Sequence, residues 1–222
     1  MSNDWFNTGY EDVKKETEKT FTAEFRIKEN EVMPNAQPGT MDASGVRMRF
    51  LDEQPITFRQ HSFQIVGKYP KFTCIGDECP MCQTMDDNPR FVGAFSVYDY
   101  RDGKVKAYVQ GVRVMKTLDR LHMMEGGLTG HDFVVMRQGT GTDTTYNFIP
   151  CPPTDFPAGA KNPDGSLKKI NLIQEYKPLS KEALTSEAYK LSGGTVPPMG
   201  QQNPQPQQNQ QGEQTFNRGV NF

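Results

Sequence analysis

The stretch Phe91-Val92-Gly93-Ala94-Phe95-Ser96-Val97-Tyr98-Asp99-Tyr100-Arg101-Asp102-Gly103-Lys104-Val105-Lys106-Ala107-Tyr108-Val109-Gln110 decides the architecture. Two runs rich in β-branched and aromatic residues flank Asp102-Gly103, a pair favoured at the centre of a type I′ hairpin. That turn opposes 101 with 104, 99 with 106, 97 with 108 and 95 with 110. One sheet face then carries Phe91, Phe95, Val97, Asp99, Lys104, Lys106, Tyr108 and Gln110. The other carries Val92, Ala94, Ser96, Tyr98, Tyr100, Val105, Ala107 and Val109. The second face reads as core and the first, mixing rings with lysines, as open surface. A one-residue bulge at the turn would swap the faces of one strand.

Strand signals continue on both sides of this hairpin. Phe21, Ala23, Phe25 and Ile27 alternate with polar residues; Val46 to Leu51, Ile56 to Val66, Asp132 to Arg137 and Thr144 to Ile149 are further runs. One helix interrupts them. Met115, Leu118, Leu121 and Met124 fall at 3- and 4-residue spacing, and Gly126-Gly127 stops it. Strands with a single helix before the last hairpin predict a mainly β fold: an OB-like, partly open barrel, with an SH3-like barrel as the alternative. The expected boundaries are a flexible arm over 1–20, a core over 21–155 holding a metal loop at 61–90, an extension over 156–195, and a tail over 196–222. In the extension a short helix is expected from Lys181 to Leu191, capped by Ser180, stapled by Leu179 and Leu184, and closed by Gly193-Gly194. The tail is dominated by Gln, Asn and Pro, with Glu213 and Arg218 its only charges, and reads as disordered.

Composition narrows the function classes. The 222 residues include 25 Lys and Arg against 27 Asp and Glu, so net charge near -2 gives no bulk signal for a polyanionic partner. Mean hydropathy is -0.71, and no apolar run is long enough to span a bilayer. A basic-then-apolar leader is not seen at the N-terminus, which predicts a cytoplasmic protein. Four cysteines, three of them between positions 74 and 82, suit metal or redox chemistry in a reducing compartment better than disulfides.

The cysteine cluster is the sharpest signal. Cys79-Pro80-Met81-Cys82 brings two thiols to one tight turn, and Cys74 precedes them by five positions. Zn²⁺ takes four N or S ligands tetrahedrally. A two-residue loop at Gly67-Lys68 would pair 66 with 69 and, continued outward, His61 with Cys74, which supplies the fourth. His122 and His131 are the alternative fourth ligands. A closed Cys3His site leaves no open position, so one structural zinc is expected, folding the loop rather than catalysing. The competing reading of Cys79 and Cys82 as a thiol oxidoreductase pair needs a strand-to-helix setting, whereas Pro80 sits among loop residues. Cys151 reads as a free thiol, packed or exposed. No other catalytic constellation stands out, so a non-enzymatic protein is expected.

Aromatic rings beside cations are what an unpaired nucleic-acid strand requires: flat platforms for bases and positive charge for phosphates. Arg47 and Arg49 share a face of their strand, and Arg59 lies two residues before His61. Arg47, Arg49, Arg59, Lys104 and Lys106 are therefore expected to track phosphates, with Phe95 and Tyr108 stacking on bases. Arg137 and Tyr146 are weaker candidates. For Phe58, Phe63 and Phe72, packing or support of the metal loop is the expectation.

These residues bear a family likeness. Phe50-Leu51-Asp52, Pro55 to Phe58, His61, and Phe72 through Cys82, followed by Gly139 to Tyr146 and Ile149-Pro150, resemble bacteriophage single-stranded DNA-binding proteins of the gene-thirty-two type, as in the T-even phages. The resemblance covers roughly residues 20–155. It implies an OB-fold with a His-Cys-Cys-Cys zinc module that coats single-stranded DNA during replication, recombination or repair in the cytoplasm of an infected bacterium. Three features depart from the family: a shorter zinc loop, an arm without a clear basic motif, and a tail that is not acidic. Capture of phage replication or recombination proteins through Phe222 is the expected use of that tail. A single-stranded RNA-binding regulator, or a protein-interaction module on the same fold, is the rival reading.

Overall fold

The computed structural model describes residues 23–64, 69–152 and 154–193. The expected arm over 1–20, the Gly67-Lys68 turn and the tail over 196–222 lie outside the described residues. Seven strands order the chain: β1 (Val46–Phe50), β2 (Ile56–Ser62), β3 (Lys71–Thr73), β4 (Arg90–Asp99), β5 (Lys104–Gly111), β6 (Asp132–Gln138) and β7 (Thr145–Pro150). Helix α1 (Pro80–Met85) follows β3, α2 (Val112–Glu125) links β5 to β6, and α3 (Leu172–Glu175) and α4 (Lys181–Leu191) lie in the C-terminal extension.

The architecture is a mainly β, antiparallel sheet that does not close. β4 is its spine. One edge of β4 pairs with β2 through its N-terminal half and with β1 through its C-terminal half, while the other edge pairs along its length with β5. β1 then leads to β6 and β7, and β2 to β3. Residues 23–30 run beside β5 and reach β6: Phe25 N–H donates to the Ala107 carbonyl at 2.7 Å, and Asn30 N–H to the Arg137 carbonyl at 3.0 Å. Of the expected alternating strand, Phe25 and Ile27 are buried in the main core, but Ala23 is exposed, Phe21 lies outside the described residues, and the segment forms an isolated bridge from Glu24 to Ala107 rather than a strand.

That core joins Val46, Met48, Phe50, Phe95, Val97, Tyr108, Phe133 and Val135 with Leu118 from α2. Each such side chain contributes about 1.5–3 kcal/mol on burial. Gly93 allows the closest approach of helix to sheet, because a Cβ there would run into the Met115 thioether. α2 begins at Val112, three residues before the Met115 that opens the expected helical spacing; Gly111, extended at φ -77° and ψ 174°, is the switch point. Its end agrees with expectation, with Gly126 left-handed at φ 71°. Met124 is 77% exposed rather than core, because Leu128, beyond the glycine turn, fills the interior instead.

The β4–β5 hairpin keeps the expected face assignment but not the expected face use. Asp99 opposes Lys104 and Phe95 opposes Tyr108, a two-residue shift from the sequence register. The loop is four residues long, with Gly103 at φ 67° and its N–H donating to the Asp99 carbonyl at 2.9 Å. A shift of two preserves the alternation, so Phe95, Val97, Asp99, Lys106 and Tyr108 still share a side. That side, however, is the interior: Phe95 and Tyr108 are each 1% exposed. The opposite side is covered as well. Ile170, Leu172 and Tyr176 pack with Ala94, Ala107, Ile56 and Phe58, while Phe156 and Ala160 pack with Leu51 and Tyr98. The segment after Pro150 is thus a second layer over the sheet.

Candidate functional site

The four expected metal ligands are brought together. His61 lies in β2, Cys74 follows β3, Cys79 caps α1 and Cys82 sits within its first turn. The β2–β3 register opposes His61 to Phe72 rather than Cys74, another shift of two, so His61 and Cys74 become diagonal neighbours on the same face. Pro70 lies nearer the turn, its carbonyl accepting from Phe63 N–H at 3.1 Å. After Gly76, at φ 91°, the chain turns back, and Pro80 occupies the first helical position, where a missing N–H does no harm. Cys79-Pro80-Met81-Cys82 therefore opens a short helix, not the loop the sequence suggested.

All four ligand atoms lie within 4.8 Å of one another. His61 Nε2 is 3.4 Å from Cys79 Sγ and 3.6 Å from Cys82 Sγ, and the Cys74 and Cys82 sulfurs are 3.8 Å apart. A tetrahedral ion with bonds of about 2.3 Å to sulfur and about 2.05 Å to nitrogen would set these separations near ~3.8 Å for S···S and ~3.6 Å for N···S. The cluster could hold one metal ion. His61 Nδ1–H donates to Asp87 Oδ2 at 2.7 Å, which leaves the Nε2 lone pair facing the thiols. Burial opposes ionisation of Cys79, but backbone N–H groups of Ile75, Cys82 and Met81 outweigh it and hold that thiol at about 6. Cys82 is pushed up to about 12 by burial and by its two sulfur neighbours. Cys79 and Cys82 are thus driven in opposite directions; a divalent ion, by favouring thiolate at both, removes that conflict.

A separate apolar cluster supports the ligands. Met81 and Cys79 pack with Leu184 and Ala188 of α4, flanked by Phe63, Phe72 and Leu191. The Phe63 ring lies parallel to His61 at 6.0 Å between centroids. Phe63 and Phe72 thus have the supporting role expected of them, and Phe58 stacks on Tyr176 at 4.9 Å. α4 has the expected bounds and cap, Ser180 Oγ accepting from Ala183 N–H at 3.2 Å. Leu184 is buried but Leu179 is exposed, so the staple is not formed. His122 lies beside Glu53 and His131 beside Glu125 and the Cys151 carbonyl, so neither joins the cluster. Cys151 is packed, its thiol pushed up mainly by burial.

The expected phosphate- and base-contacting set is not assembled. Phe95 and Tyr108 are interior rings. Arg49 is 2% exposed and clamps the C-terminal layer, donating to the carbonyls of Thr129 and Thr154 and to Asp132, with its guanidinium over Phe156. Arg47 pairs with Asp42 at 2.9 Å and Asp132 at 3.7 Å. Lys106 pairs with Asp99 and Asp102, both at 2.7 Å. Asp132 lies far along the chain, Asp42 in the segment before β1, and Asp99 and Asp102 across the hairpin, where strand alternation gives no sign of them. Lys104 and Arg59 remain exposed, Arg59 opposite Phe91 across the β2–β4 ladder.

A different set of cations converges where the sheet stays open. Two contiguous cavities of about 680 and 490 Å³ share Gln110, Arg137 and Tyr146. The larger is walled by Arg90 and Phe91 of β4, Arg113 of α2 and Thr144, and no carboxylate lines it. The smaller continues to Arg26, Lys28 and Lys71, with Glu24 held between Lys71 and Arg26. Arg113 donates to the Thr142 carbonyl at 3.1 Å and Arg137 to the Ile27 carbonyl at 3.3 Å, both uncharged acceptors. Among the described residues no ion pair involves Arg90, Arg113 or Arg137. Phe91, 42% exposed, and Tyr146 present rings to this groove. Arg137 and Tyr146 were the weaker sequence candidates; Arg90 and Arg113 were missed, since their convergence depends on how β4, α2 and the β6–β7 hairpin meet. No family model and no curated protein matches this chain, and no described helix is long and apolar enough to cross a membrane.

Proposed function

We propose that this protein binds and coats single-stranded DNA with little sequence preference, in bacteriophage replication, recombination or repair, on an OB-like barrel braced by one structural zinc ion. The observation that carries this reading is the open groove, in which Arg90, Arg113 and Arg137 have no carboxylate partner among the described residues and stand beside the rings of Phe91 and Tyr146. Duplex DNA offers no free base faces to such rings, whereas an unpaired strand offers one per nucleotide. The order β1, β4, β5, α2, β6, β7, with β1 between β4 and β6, supports the barrel assignment; the gap between β5 and β7 is where it stays open. Three thiols and one imidazole suit zinc; His61, Cys74, Cys79 and Cys82 would fill all four positions of such an ion, which would tie β2 and the end of β3 to α1 and leave no position for a substrate.

The resemblance to gene-thirty-two-type proteins points the same way, through the residues that carry it: His61, Cys74, Cys79 and Cys82. Each phosphate neutralised by a groove cation releases condensed counterions, so affinity should fall steeply with salt. Titration of the protein with labelled oligo-dT and with a matched duplex, at several salt concentrations, tests the proposal. Tight, salt-sensitive binding of the single strand with weak duplex binding is expected. Binding that ignores salt, or that prefers the duplex, overturns it.

A further inference from the structure

Beside the groove, on the far side of Phe91, lies a smaller cavity of about 170 Å³ between β4 and α2. Its size is that of one six-membered ring, since an apolar cavity of about 150 Å³ accepts benzene. Phe91, Phe95, Met115 and Leu118 form an apolar floor and wall. The rim is polar and includes Gln54, Thr57 and Asp119. No hydrogen bond among the described residues engages these three side chains, whereas Glu53, also on the rim, is held by Leu128 and Thr129. Phe91 belongs to both cavities, so a ring entering the smaller one stays attached to a strand lying in the larger.

We propose that this pocket receives one base of the bound strand and that it prefers cytosine; the inference rests on the single-strand reading above. A carboxylate only accepts hydrogen bonds, so Asp119 suits the N4 amino group of cytosine. Thymine instead presents two carbonyl oxygens flanking its one N–H, and these face the Asp119 charge unfavourably. Gln54, donor and acceptor both, can serve the remaining polar edge. The result is one base-selective position laid over a sequence-tolerant groove.

The test compares oligo-dC, oligo-dT and an abasic oligomer of equal length, using the full chain. About tenfold tighter binding of oligo-dC than oligo-dT is expected, within the range of a good two-point base contact. Asp119→Asn combined with Gln54→Ala should bring the two affinities together, the preference for oligo-dC being lost. The Met115 methyl resonance should shift upfield with oligo-dC, by ring current, and stay in place with the abasic oligomer. Equal dC and dT affinities in the wild type, a preference that survives the double variant, or a Met115 signal that ignores the base overturns the pocket. The first two outcomes leave salt-sensitive strand binding intact and so spare the groove. Failure of all three oligomers to bind removes the groove, and the pocket with it.

Discussion

Replacing Arg90 and Arg113 together by glutamine is the most direct trial of the groove. Both are exposed, neither takes part in an ion pair among the described residues, and they line the same cavity, to which no described carboxylate contributes. Each phosphate contact on a single strand contributes about 0.7 to the slope of log affinity against log salt, so losing two should lower its magnitude by about 1.4. Over a tenfold rise in salt, from about 50 mM to about 500 mM, the wild type should therefore lose about 25-fold more affinity than the variant. Adding Arg137→Gln should bring the reduction to about 2. Fluorescence anisotropy of labelled oligo-dT across that salt range gives the slope, and thermal unfolding checks that the exposed substitutions leave stability within about 0.5 kcal/mol. Lys104→Gln is the matched control: an exposed cation at the hairpin end of β5, outside the groove. A double variant with the wild-type slope, or a control that lowers it equally, refutes the assignment.

Three further outcomes concern what holds the site. Asp87→Ala removes the acceptor for His61 Nδ1 and should weaken metal binding by about 10–100-fold, read by competition with a chromophoric chelator. Arg49→Ala should destabilise the fold by about 3–5 kcal/mol in denaturant melts, by weakening the pairing of buried Asp132 and removing the donor to the Thr129 and Thr154 carbonyls, while the salt slope of oligo-dT binding stays unchanged. Asp99 is buried, which by itself opposes ionisation, but Arg101 and Lys106 outweigh burial and hold its carboxyl below the usual range. Its contribution is therefore complete above the ordinary aspartate range near pH 4 and lost as pH falls through the depressed folded value. Asp99→Asn should cost about 3 kcal/mol at neutral pH and flatten the acid limb of the stability profile.

Much of this fold is legible in the residues themselves. The strand runs from Val46 onward, the α2 stop at Gly126 and the Ser180 cap rest on local chemistry, and the structure has them within a few residues of where local chemistry puts them. The two hairpin registers each slip by two residues, yet faces survive such a slip, which is why His61 still meets Cys74. Which face of β4 looks inward is not a local property. Phe95-Val97 and Ala94-Ser96-Tyr98 are both apolar enough for burial, and both are buried, because the segment after Pro150 returns as a second layer. That layer is hard to see in sequence: Gly159 and Ala160 fit under Tyr98 by being small, and no alternation marks them. Arg49 likewise looks like a surface cation until Asp132, 83 positions later, is placed beside it.

The same long-range pairing explains how a chain of net charge -2 presents a cationic groove. Asp42 and Asp132 are spent on Arg47 and Arg49, and Asp99 and Asp102 on Lys106, with Arg101 between Asp99 and Glu31. Those cations sit on the β1 and β4–β5 surfaces that strand alternation singles out, and each is neutralised where it stands. Arg90, Arg113 and Arg137 come from three different elements and meet only where the sheet stays open, so no local run of basic residues announces them. Field at a cleft follows from unpaired charge and low-dielectric walls, not from a sum over the chain. The charge total therefore says nothing against a polyanionic strand; the distribution of ion pairs is what supports one.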